Sequence, residues 1–146
     1  MSASNAFENG ILLLVFNNTD FANIGDAGGL QNSASAGSLY VSLHTADPGE
    51  AGDQTTSEAN YTDYARVAVA RSGSGWTVSA NNASNAAAVT FPAASGGSSL
   101  CTHFGIGTAS SGTGVLLFSG ALAASLNVTS GITPTFAIGD IDVTAD

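Results

Sequence analysis

A chain of 146 residues with eleven carboxylates, two arginines, no lysine and a formal charge of -9 lacks the clustered cations that phosphate binding requires. That excludes nucleic acid and anionic membrane as expected partners. This length corresponds to one domain able to bury roughly 70% of its unfolded surface without metal or disulfide staples, and the single Cys101 forms no internal bridge. Only 9% of residues are charged, against about 25–35% on designed soluble surfaces. The exterior is therefore largely Ser, Thr, Asn, Gly and Ala, through compositional drift or because it packs against other proteins.

Phe7, Ile11, Leu14 and Val15 fall at i, i+4, i+7 and i+8 and predict an amphipathic helix within the first twenty residues. Asn5 is the expected N-cap, with Glu8 completing a capping-box-like arrangement. Gly10 weakens the helix by about 1 kcal/mol relative to alanine. The longest apolar run, Ile11 to Phe16, is far short of the about 20 residues of a membrane span. No basic segment precedes it, so it makes a poor secretory signal. A helix this short needs a docking surface, either one end of its own β-body or a neighbouring subunit. From Phe21 to Ser38 the sequence is Gly-, Ala-, Asn- and Ser-rich without period, which predicts a connector or long surface loop. Residues 1–38 are thus expected as an arm and residues 39–146 as the β-domain.

Leu39, Val41 and Leu43 alternate with Tyr40, Ser42 and His44, and Asp47-Pro48-Gly49 closes that strand in a turn. Residues 46–63 read as an acidic loop. Further strands are predicted at Tyr64–Arg71, Gly75–Ser79, Ala86–Phe91, Leu100–Ile106, Val115–Leu122, Ser125–Thr129 and Ile138–Thr144, divided by Gly/Ser-rich breaks. About eight short strands without helical crossovers predict an all-β fold, an antiparallel β-sandwich with jelly-roll topology first in that class. The expected core is Leu39, Val41, Leu43, Val67, Val69, Trp76, Val78, Val89, Phe91, Leu100, Phe104, Ile106, Leu116, Phe118, Leu122, Ile141 and Val143.

Candidate chemistry is sparse. Cys101 and His103, two apart on one strand, face away from Leu100, Phe104 and Ile106. A thiolate nucleophile would need them paired, but same-strand neighbours point in parallel. Asp47, Glu50 and Asp53 recur every three residues beside His44, yet their spacing is not that of an EF-hand, and a solvated acidic loop is the simpler reading. No G-x-S-x-G elbow and no dinucleotide glycine pattern occurs. No catalytic, cofactor-binding or metal residues are assigned. Arg66 and Arg71 bracket one strand, and each is expected to pair with an acid from a loop or from a neighbouring subunit. Trp76 reads as a core aromatic, or else as a sugar-stacking platform.

Leu39–Gly49, Tyr64-Ala65-Arg66-Val67, Ala88-Val89-Thr90-Phe91-Pro92, Thr102-His103-Phe104-Gly105-Ile106 and Leu117-Phe118-Ser119-Gly120-Ala121-Leu122 together resemble a family of small tailed-bacteriophage virion proteins. Some members are labelled tail fibre proteins, and others resemble jelly-roll capsid decoration, or cement, proteins. The likeness runs from Leu39 to the C-terminus and implies no catalytic residues.

The resulting expectation is a non-enzymatic decoration protein on the outer capsid surface, bound to the major capsid protein and to copies of itself, as a trimer before a dimer. Phe7, Ile11, Leu14, Val15, Arg66 and Arg71 are the expected contact residues, and no cofactor is implied. The alternative is a tail fibre or receptor-binding component recognising a host surface, for which Tyr40, Tyr61, Tyr64 and Trp76 are the candidate aromatics. A small hydrolase using Cys101 and His103 is the third reading.

Overall fold

In the computed structural model, which describes residues 2–145, the helix α1 (Asn5–Asn17) is capped by Ser4 rather than Asn5. The Ser4 hydroxyl accepts from the Phe7 N–H, and Asn5 already has helical backbone. At the other end Asn18 adopts the left-handed conformation and its N–H reaches the Leu13 carbonyl, as a C-terminal cap does. Nine strands follow among the described residues: β1 (Ser38–His44), β2 (Val67–Ala70), β3 (Trp76–Ser79), β4 (Asn82–Asn85), β5 (Val89–Thr90), β6 (Ser98–Gly107), β7 (Leu116–Thr129), β8 (Thr135–Phe136) and β9 (Asp142–Thr144). The chain is all-β with antiparallel sheets and one N-terminal helix. It divides into two units, the first formed by the chain up to Ser38, Val69–Ala88 and the chain from Phe136 on, the second by Leu39–Ala68 and Val89–Thr135.

In the first unit α1 packs on the three-stranded sheet β3-β4-β9. Leu12 and Phe16 are the apolar side chains it buries, with Glu8 buried beside them, and the Phe16 ring meets Trp76 edge-on at 4.8 Å between centroids. Leu12 and Phe16 are each worth about 1.5–3 kcal/mol of apolar burial. The expected stripe of Phe7, Ile11, Leu14 and Val15 is therefore rotated: Phe7 is exposed and the other three are half-buried. The run Ile11 to Phe16 is apolar on every side, so periodicity could not choose which face seats. Strand β4, Asn-Ala-Ser-Asn, falls between the predicted strands Gly75–Ser79 and Ala86–Phe91, yet pairs with both β3 and β9. Asn85 holds it there, donating to the carbonyls of Ala87 (2.8 Å) and Ala137 (2.7 Å) and accepting from the Ile141 N–H (2.9 Å). A buried amide satisfied on three sides substitutes for apolar pattern.

The second unit is built on β1, β6 and β7 of the four-stranded sheet, whose order is β2-β1-β6-β7. Strand β1 pairs with β6 from Tyr40↔Gly107 to His44↔His103. Between Cys101 and His103 the β6–β7 register shifts, from Cys101↔Leu126 to His103↔Ala121. That irregularity reverses which residues face inward: Ser99 and Cys101 are buried before it, Phe104 and Ile106 after it. Leu100, expected in the core, is consequently 53% exposed. Val67, Val78, Leu116, Phe118 and Leu122 are only half-buried, while Tyr61, Cys101 and Val128 join the core. The two segments predicted around residue 123 are one long strand, β7, lying at the sheet's edge.

Candidate functional site

The polar side chains of β1 are enclosed rather than displayed. Ser42 and His44 are fully buried because Gly105 faces them on β6; a Cβ there would stand 2.7 Å from both the Ser42 Oγ and the His44 Nε2. His44 Nδ1 lies 2.8 Å from the Thr56 carbonyl, which can only accept, so Nδ1 carries the proton and Nε2 accepts from the Ser42 hydroxyl at 2.8 Å. Burial pushes the imidazole below its ordinary value of 6.5, against opposing contributions from Thr56 and Glu58. The result is a neutral clasp between β1 and the acidic loop. Gln54 from that loop also lies over β6, where Gly107 leaves room for it, and its carbonyl oxygen accepts from the Ala109 N–H at 2.8 Å.

Arg66 pairs with an acid from the loop, as its isolation among carboxylates suggested. Its Nε and Nη2 meet the two Glu58 oxygens at 2.6 and 2.8 Å, while Nη1 and Nη2 also donate to the carbonyls of Ala109 (2.9 Å) and Gly112 (2.7 Å). Tyr64 donates to Glu58 and accepts from the Leu43 N–H. The Arg66 side chain is 2% exposed, so this contact, named for a partner, works inside its own chain. Glu58 holds the guanidinium above its ordinary range, and burial pushes the Tyr64 hydroxyl upward.

Arg71 departs from expectation, because among the described residues its partners are carbonyls and a hydroxyl rather than an acid. Its guanidinium donates to the carbonyls of Leu14 (2.6 Å), Val15 (2.7 Å) and Ala36 (3.1 Å). Leu14 and Val15 are among the last four helical residues, whose carbonyls have no partner within the helix, and a cation there also complements the helix dipole. So Leu14, Val15 and Arg71 are brought together, but as an internal tie.

A groove of about 630 Å³ opens between loop residues Asp47, Glu50 and Gly52 and the first half of β7, with His103 among its lining. It mixes carboxylates, an imidazole and the side chains of Leu116 and Leu117. Asp53, the third acid of the spaced set, is turned into its own loop: it accepts from the Thr55 N–H (2.8 Å) and hydroxyl (2.6 Å), which hold its carboxyl below the usual range. Among the described residues no three His, Cys, Asp or Glu side chains gather as a metal-holding group. Cys101 and His103 do not share a face, because the register shift falls between them. The Cys101 thiol is fully buried and pushed up to about 11 by that burial, and the His103 Nδ1 lies 2.9 Å from the Thr102 hydroxyl.

Exposed apolar side chains also lie outside this groove. Phe7 is 47% exposed and its ring stands 5.9 Å from that of Phe21. Phe21 pairs with Leu30 through two backbone hydrogen bonds of 2.9 Å. These residues sit in the stretch read from sequence as a featureless connector, since a loop closed by one bridge leaves no periodic trace.

A comparison with protein-family models matches residues 2–144 to the family described as podophage GP4 fiber I protein gp80. No curated protein matches the chain.

Proposed function

The chain belongs to the podophage GP4 fiber I protein gp80 family, and from that premise we propose that it is a fibre component of the virion that acts by adhesion. It is a structural protein of a tailed phage. The observation that carries the fibre reading is the extent of the match, which takes in α1, its loop and both units. The sealed geometry supports a role without bond making: Ser42–His44 has no solvent access, and Cys101 is a buried protonated thiol. Partners are then other virion proteins and further copies of the chain.

Capsid decoration, with the major capsid protein as partner on the outer shell, is the second reading. The low-charge, lysine-free composition favours it, because such a surface is readily desolvated when many copies pack on a lattice. Quantitative staining of purified particles, with antibody labelling in electron micrographs, separates the two. A handful of copies at the tail supports the fibre; hundreds over the shell replace it with decoration.

A further inference from the structure

We infer that the surface formed by Phe7, Phe21 and Leu30 is the attachment face of this chain, and that it seats in an apolar pocket rimmed by Lys or Arg on a different virion protein. The inference rests on the virion-component reading above and names the surface and the partner's chemistry.

Three observations carry it. First, the loop is built rather than slack. Gly29 lies at positive φ, and a Cβ there would stand 2.1 Å from the Phe21 carbonyl oxygen; Gly10 leaves the space that the Phe21 ring fills on the helix. The Asp26 carboxylate accepts from the N–H groups of Gly28 and Gly29, at 2.8 and 3.0 Å, and the Asp20 carboxylate accepts from Asn32 N–H at 2.6 Å. Second, all that construction leaves apolar side chains in solvent: Phe7, Leu30 at 38% exposure and Ile24 at the turn of the same loop at 36%. A helix that only needed a seat would have it through Leu12 and Phe16 alone. Clustered exposed apolar groups of this kind mark contact surfaces.

Third, charge decides between a second copy and a different partner. Asp20 and Asp26 are exposed at the rim of the patch. A complementary surface must offer cations, and among the described residues neither arginine of this chain is left to supply one. The chain contains no lysine, Arg66 is engaged by Glu58, Ala109 and Gly112, and Arg71 by Leu14, Val15 and Ala36. Two copies would set carboxylates against carboxylates.

The test adds purified full-length chain to phage particles assembled without it and counts the copies bound per particle. Phe7→Ser and Leu30→Asn should each lower loading at least about tenfold. Ile138→Ser, at an exposed apolar position outside the patch, should load like wild type. Asp26→Asn keeps an acceptor oxygen for the turn but removes the charge. It should load several-fold less well and flatten the fall in wild-type binding with added salt. Circular dichroism verifies that each variant is folded. Wild-type loading by folded Phe7→Ser and Leu30→Asn overturns the inference. So does a wild-type oligomer, seen by sedimentation, that Phe7→Ser dissociates, since the patch would then be a self-contact. Wild-type chain that stays off the particles at every salt concentration removes the virion-attachment reading itself, and the inference with it.

Discussion

The Arg71 guanidinium lies 2.6 Å from the Leu14 carbonyl oxygen, tying the chain after β2 to the last turn of the N-terminal helix. Its planar fork also takes the Val15 and Ala36 carbonyls, a geometry that a lysine ammonium does not reproduce. Arg71→Lys should therefore behave as a loss, lowering stability by about 1–2 kcal/mol in urea denaturation. Arg71→Ala should cost more and reduce the helical signal in far-ultraviolet circular dichroism. A lysine variant as stable as wild type would show that charge at the helix end is sufficient.

Gly10 tests local preference against packing. Propensity alone predicts that Gly10→Ala stabilises the helix by about 1 kcal/mol. The new Cβ would stand 2.6 Å from the Phe21 ring, so the variant should instead lower the melting temperature. In the Phe21→Ala background the same change should become neutral or stabilising. A reversal of sign between the two backgrounds is the readout.

Removing one partner of the Glu58–Arg66 pair should be among the most damaging single changes in the second unit. Glu58→Gln leaves the guanidinium buried against a neutral amide, and Arg66→Met leaves the carboxylate beside Tyr64. Each should cost about 3 kcal/mol, measured by chemical denaturation. The double variant should be less destabilised than the sum of the two.

His44 makes stability depend on pH. Its folded value is lowered from 6.5 by burial, with Arg66 and His103 acting in the same direction and Glu58 and Thr56 opposing. The unfolded chain therefore binds the proton first as pH falls. This contribution is fully present above the unfolded value near 6.5 and is lost as pH drops toward the folded one. Denaturation midpoints should fall between pH 7 and pH 5, about the usual histidine range, and His44→Gln should flatten that slope. An unchanged slope would assign the pH dependence to the carboxylates.

Cys101 should resist alkylation in the native protein. With the thiol buried and raised to about 11, iodoacetamide at pH 8, about the ordinary thiol value, should label it only at the rate of unfolding. Rapid labelling under native conditions would mean that the β6–β7 pairing opens locally.

Composition and alternation were enough to read an all-β chain with a helix at its start, and to place Leu39, Val41, Leu43, Trp76, Phe91, Phe104 and Ile106 inside. Those signals are local: a strand alternates by its own geometry, and glycine breaks it by its own freedom. What depended on neighbours was not legible. Leu100 and Cys101 exchange places because of a register shift set by β7, and Asn85 anchors a strand through backbone groups more than fifty residues distant. The helix could seat on any side of an apolar run, and Leu12 and Phe16 were chosen by Trp76 and its sheet. The cluster of exposed Phe7 and Leu30 around half-buried Phe21 likewise exists only once a loop has folded back on the helix. Sequence carries the periodicities that each segment obeys alone, whereas long-range pairing decides which side of each segment meets solvent.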